Sequence, residues 1–284
     1  MAINMELNMP SNVRNVDTEL LFWRRPEDLS VVVDFTKNKP EEGMAAMKAM
    51  DERHPVQVQD IRGQEARFTL DQNGFQYVRH EIPGLDNAAD LTYIESVIIP
   101  EMEKLVQQTT GATKTITFTH RVRCFADDAN MLANNRAPAH SVHSDFTPAG
   151  ALRQLESVVR DADERQRLLK GRMQIINVWR PLKTVERDPL AVCDWKSLDW
   201  RQDRIANRLV LPTGWNELGK YSFNPGQKWY YLGRQRPQEA LIFRQFDSQA
   251  DQGGMTLPHT AFVDPDSDNG PARESIEIKM FAFQ

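Results

Sequence analysis

The chain reads as a mainly β protein with flanking helices. From Met173 onward, short apolar runs alternate with turn residues: MQIINVWRPL, LAVCDW, RLVLP, WYYLG, EALIFRQF, HTAFVDP and ESIEIKMFAF. That spacing indicates the strands of a closed barrel or a sandwich. Two earlier stretches, 86–110 and 149–170, carry apolar residues near a 3.6-residue period, as helices lying against a sheet do. No internal repeat or low-complexity linker interrupts the 284 residues, so they are read as one domain. Within it, 1–15 is a flexible lead-in, 16–112 an N-terminal hairpin with helices, and 113–284 the β core.

In chain order, 18–23 (TELLFW) is a strand, and 37–56 a charged loop holding a short helix. In 66–81 two alternating segments flank Asn73-Gly74, a hairpin signal, with Phe68, Leu70, Phe75, Tyr77 and Val78 facing inward. In 86–110 the apolar positions are Leu91, Ile94, Val97, Ile98, Met102 and Leu105. Pro100 must kink this helix or start a new one, and Gly111 stops it. Residues 113–125 alternate and are rich in β-branched side chains, a strand leading into a polar loop, 126–136. Residues 149–170 are a helix with Leu152, Leu155, Val158 and Val159 inward and a charged outer face.

The net charge of −5 lacks the basic face that a nucleic acid or an anionic membrane demands. Cys124 and Cys193 stand far apart, which excludes a disulfide framework and suits a reducing compartment. The first fifteen residues have no apolar run and carry Glu6, so they read as no signal peptide. No stretch has the 18 or so apolar residues of a membrane span. The expectation is a cytoplasmic protein whose partner is a small molecule.

The chemistry centres on Ser141-Val142-His143-Ser144-Asp145-Phe146-Thr147-Pro148. Residues two apart on an extended segment point the same way, so His143 and Asp145 can aim an imidazole and a carboxylate at one point. These are two members of a two-histidine, one-carboxylate triad, which leaves positions open on non-heme Fe(II). Of six histidines, His54 and His80 read as exposed, His120 as structural, and His140 has the wrong parity. His259, at the start of a strand-like run, is the best third ligand. Arg273 and Ser275 share a side of the last strand and suit a carboxylate clamp, the anchor that a metal-chelating 2-oxo acid needs. The plainer reading pairs Arg273 with Asp264, Asp266 or Asp268.

The segments Trp179-Arg180-Pro181-Leu182, Asp188-Pro189-Leu190 and Arg273-Glu274-Ser275-Ile276-Glu277, with His143-Ser144-Asp145 and His259, follow a familiar order. It resembles a family of Fe(II)/2-oxoglutarate-type oxygenases that includes the fungal gibberellin desaturase, hydroxylase/desaturases of secondary-metabolite clusters and a cephem methoxylase subunit. The similarity covers about residues 65–284. It implies a double-stranded β-helix (a cupin-like jelly roll), iron, 2-oxoglutarate and O2 as co-substrates, and hydroxylation or desaturation at an unactivated C–H bond. His143, Asp145 and His259 carry over as iron ligands, and Arg273 as the 2-oxoglutarate anchor. Arg180 is either a buried ion-pair member or a second carboxylate grip near the iron. Phe146, Trp179 and Tyr231 are candidate substrate-pocket walls. Two other readings stay open: a non-heme iron oxidase that needs no 2-oxoglutarate, and a non-catalytic cupin-like binding protein. Residues 18–35 offer a pairing segment for a homodimer.

Overall fold

The computed structural model describes residues 13–37, 39–88, 90–123, 138–250, 256–267 and 269–284. Most of the 1–15 lead-in, the 126–136 loop, Cys124 and Asp268 lie outside these. The chain opens with β1 (Val16–Trp23), β2 (Ser30–Asp34), α1 (Pro40–Lys48) and β3 (Asp51–Asp60). The single-turn helix α2 (Leu70–Asn73), β4 (Phe75–Arg79), α3 (Leu91–Tyr93) and α4 (Ile99–Thr110) follow. After β5 (Lys114–Arg123) come β6 (His143–Ser144), α5 (Pro148–Val158) and α6 (Ala162–Leu168). The last half is strands: β7 (Met173–Pro181), β8 (Leu190–Cys193), β9 (Arg204–Leu211), β10 (Gly214–Tyr221), β11 (Trp229–Tyr231), β12 (Glu239–Asp247), β13 (His259–Ala261) and β14 (Ser275–Phe283).

Among the described residues these strands form two sheets, ordered β1-β3-β11-β8-β13-β6-β10-β9-β2 and β4-β12-β7-β14-β5. The smaller is antiparallel throughout. Every residue of β7 is buried, because both faces of that sheet are covered. Outward, Ile176, Val178, Ile276, Ile278 and Met280 pack on Ile98, Met102 and Val106 of the helical segment. Inward, Ile175 and Phe281 meet the residues of α5, and Trp179 and Phe243 meet Leu190 and Val192 of the larger sheet. Each such fully buried aliphatic side chain contributes roughly 1.5–3 kcal/mol.

Several local expectations need correction. Asn73-Gly74 is no hairpin turn. Thr69 Oγ1 caps α2 by accepting from Gln72 N, and Gly74, at φ 81°, ends it. A left-handed glycine stops a helix as readily as it turns a hairpin. The 37–56 region is helix and then strand, since β3 starts at Asp51 and pairs along β1. The 149–170 stretch is two helices, the second capped by Asp161, whose side chain accepts from Glu164 N; Leu152 points to solvent at 45% exposure. Pro100 is absorbed by a π-helical turn, Ile94–Ile98, just before α4, where its missing N–H opens no gap.

Candidate metal centre

His143 and His259 are partners across the antiparallel β6–β13 pairing. Facing register puts both imidazoles on one side of the larger sheet, with ring centroids 4.4 Å apart. Asp145 follows at the bend after β6. One ligand atom each from His143, Asp145 and His259 lies within 4.8 Å of the others. Short β6 is held in place by Tyr221, whose hydroxyl donates to Ser144 Oγ at 3.1 Å. Beyond Asp145, Thr147 caps α5 by accepting from Gly150 N and donates to Glu217 Oε1 at 2.5 Å.

The second layer settles which atoms are presented. His143 Nδ1 donates to Ser141 O at 2.9 Å, and His259 Nδ1 to Leu257 O at 3.3 Å. Both protons are therefore on Nδ1, and both Nε2 lone pairs are left for a ligand. Gln245 bridges the two segments: its Oε1 accepts from Asp145 N at 2.6 Å, and its Nε2 donates to Leu257 O at 2.8 Å. Asn177 Nδ2 donates to Asp145 Oδ2 at 2.6 Å and to Glu277 Oε1 at 3.0 Å, while Lys279 Nζ meets Asp145 Oδ1 at 2.5 Å. Burial by itself would push the Asp145 carboxyl up; Lys279, His259 and His143 together hold it well below the usual carboxylate range. Burial first, then His259 and Lys220, push His143 far down, and burial lowers His259. A neutral imidazole pair beside an ionised carboxylate is the protonation state that a divalent ion requires.

The triad lines a cavity of about 230 Å³, with Trp179, Leu190, Arg273, Arg121, Arg123 and Lys279 among its walls. Arg273 is 5% exposed. Its Nη1 donates to Asp188 O, its guanidinium carbon lies 5.3 Å from the Trp179 ring centre, and its Nε has no partner. The Ser275 hydroxyl is also buried without a partner.

The family described as "Oxidoreductase/YMDC permease-like domain" matches residues 20–283. Hydroxylase/desaturase efuI of Hormonema carpetanum is 36% identical, over 81% of this chain and 83% of its own length. The gibberellin cluster GA4 desaturase of Gibberella fujikuroi is 28% identical, over 80% of this chain and 86% of its own. A solved structure of the iron and alpha-ketoglutarate-dependent endoperoxidase NvfI superposes with a TM-score of 0.80 at 28% identity, covering 96% of this chain and 99% of that one. The chain belongs to this oxidoreductase family. The resemblance read from the WRPL and RESIE blocks therefore holds, and so does the jelly-roll fold class it implied.

In this family member the structure brings His143, Asp145, His259, Arg273 and Trp179 to one cavity, sets Ser275 on the inward parity of β14 shared by the wall residues Glu277 and Lys279, and separates Arg180, Phe146 and Tyr231 from it. Arg180 shares the parity of Ile176 and Val178, so it points to the helical side. Its Nη1 donates to His80 O at 2.7 Å and to Pro237 O at 2.8 Å, and its Nη2 to His80 Nδ1 at 2.9 Å. It is not among the walls of the cavity. Phe146 packs edge-on against Phe118, centroids 6.0 Å apart, and joins the cluster under α5. Tyr231 donates to Arg14 O at 2.6 Å and packs edge-on against Phe262. His54 stacks on Phe223 at 4.4 Å, so neither it nor His80 is a free surface histidine. Asp264 and Asp266 pair with Arg14, not Arg273. Asn177, Gln245, Glu277 and Lys279 were not foreseen. Their one signal is polar residues within apolar strand runs.

Proposed function

We propose that His143, Asp145 and His259 hold Fe(II) and that Arg273 and Ser275 receive the distal carboxylate of 2-oxoglutarate. On this reading the protein hydroxylates or desaturates a small organic metabolite at an unactivated C–H bond. The observation that carries it is the conjunction of three N/O ligand atoms within 4.8 Å with the unpartnered Nε of buried Arg273 in the same cavity. The donor set fits the ion: two imidazole nitrogens and one carboxylate oxygen suit Fe(II) and leave coordination positions open. The clamp fits the co-substrate, since an orphaned guanidinium N–H and an orphaned hydroxyl in a buried site call for an anionic acceptor. Iron with 2-oxoglutarate supplies the oxidising power for breaking a C–H bond. The chain's own residues do the rest. Asn177 and Lys279 orient the Asp145 carboxylate, Gln245 holds the Asp145 backbone N–H, the Ser141 and Leu257 carbonyls fix the two histidine tautomers, and Trp179 and Leu190 form an apolar wall that keeps water out. Arg121 and Arg123, two apart on β5, line the same cavity and favour an organic acid as substrate.

Anaerobic Fe(II) loading followed by 2-oxoglutarate titration tests this. The expected results are one iron per chain, a visible charge-transfer band, and loss of both in His143→Ala. Iron uptake without the band supports an oxidase that needs no 2-oxoglutarate. Equal iron in wild type and His143→Ala rejects the triad. The match across 20–283 supports one domain. Among the described residues no helix is long and apolar enough to cross a membrane. The buried, unpaired Cys193 thiol favours a reducing cytoplasm. β1 and β2 are the two edges of the larger sheet, so a homodimer through 18–35 is a further proposal, checked by sedimentation.

A further inference from the structure

Asp188 stands in the Asp188-Pro189-Leu190 block, which neither the iron ligands nor the clamp uses. Its φ is 51°, in the left-handed region that residues other than glycine rarely adopt. Pro189 makes this harder still, because a proline ring pushes the residue before it toward extended backbone. Strained residues of this kind persist only where their surroundings dictate them, and they gather at functional sites.

The surroundings of Asp188 do dictate it. Its Oδ1 lies 3.3 Å from His140 Nε2, and its Oδ2 lies 3.5 Å from Arg187 Nε. The carboxylate, 13% exposed, is tied on both sides. His140 belongs to the same stretch as Pro138 and Ala139, which wall the cavity. With the side chain so held, the left-handed turn brings the Asp188 carbonyl to Arg273, whose Nη1 donates to it. The Trp179 ring lies against the same guanidinium. One edge of the guanidinium is thus fixed by the carbonyl and one face by the indole, while Nε is left over without a partner.

We infer that Asp188 is a positioning residue for the anion anchor: its His140-tied, left-handed backbone aims Arg273 at the ligand carboxylate. This rests on the reading that Arg273 receives 2-oxoglutarate. Asparagine adopts left-handed φ more readily than most residues, and its side-chain oxygen can still accept from His140 Nε2–H. Alanine offers neither property.

The test uses the full chain, loaded anaerobically with Fe(II) and titrated with 2-oxoglutarate by the charge-transfer band; Fe(II) affinity is measured separately by equilibrium dialysis. Asp188→Ala is expected to raise the Kd for 2-oxoglutarate about tenfold or more, the effect of losing roughly one charge-assisted contact, and to leave the Fe(II) Kd within about twofold. Asp188→Asn is expected to stay within about threefold of wild type for both. A merely structural role would move both constants together. Asp188→Ala binding 2-oxoglutarate like wild type, or Asp188→Asn as impaired as Asp188→Ala, overturns the inference alone. Wild-type protein that takes up iron but gives no band overturns the Arg273 reading and this inference with it.

Discussion

Asp145 is held from three directions, by Asn177, Lys279 and Gln245, and each partner stands on the smaller sheet facing the larger one. The triad is thus a contact between two sheets as much as a motif. The ligands themselves were legible as sequence, since His143 and Asp145 sit two apart on an extended segment and His259 and Arg273 follow in order. Their supports were not. Asn177, Trp179 and Arg180 lie together in a strand buried on both faces, and an apolar pattern on both faces gives no sign of which parity looks at the metal. That ambiguity left Arg180 open between a structural role and a ligand grip. Its role is to bond the His80 and Pro237 carbonyls at 1% exposure. Arg180→Met should therefore cost about 3 kcal/mol of stability, because buried acceptors lose their donors, and should leave 2-oxoglutarate affinity unchanged. Urea unfolding and the band titration measure the two sides. A weakened 2-oxoglutarate Kd at unchanged stability would return Arg180 to the site.

The strands that set the triad are among the shortest of the described elements. β6 has two residues and β13 three, so β6 is legible only as an extended segment and β13 only as the start of the HTAFVDP run. β10, GWNELGKY, has glycine and charge where a strand pattern wants apolar residues and was missed. Yet β10 is the backing of β6: Gly219 pairs with Ser144 and Lys220 with His143. A Cβ on Gly219 would lie 2.3 Å from Ser144 Oγ, too close for any real pair of atoms. The hydroxyl is itself engaged by Tyr221, so the strain must pass into β6. Gly219→Ala is expected to displace His143 by a fraction of an ångström and weaken Fe(II) binding about tenfold or more, since small misplacements at a ligand are expensive. Equilibrium dialysis of Fe(II) checks this, with circular dichroism to show that the sheets persist. Wild-type affinity in the variant would mean that β6 is positioned by β13 alone.

Across the molecule, His80 joins parts that the hairpin reading kept apart. Its backbone N donates to Gln238 O, its Nδ1 accepts from Arg180 on β7, and its Nε2 lies 3.6 Å from Glu101 on α4. It therefore ties the smaller sheet to the helix covering it. Accepting from a guanidinium requires an unprotonated Nδ1, so the folded state prefers the neutral ring. Burial first, then Arg180, lower the His80 pKa below its usual 6.5, with Glu101 opposing them. The sign follows from linkage. As pH falls through about 6.5 the unfolded chain takes up this proton before the folded one does, so stability is complete above that pH and declines toward the lower folded value. Glutamine can accept the Arg180 N–H but cannot titrate. His80→Gln should therefore lose less stability than wild type between pH 7.5 and 5.5, by at most about 1.4 kcal/mol, since pH 5.5 lies only about one unit below the unfolded pKa. Urea melts of both proteins at the two pH values measure the difference. Parallel losses would show that the acid sensitivity lies elsewhere and that the Arg180 contact does not hold the ring neutral.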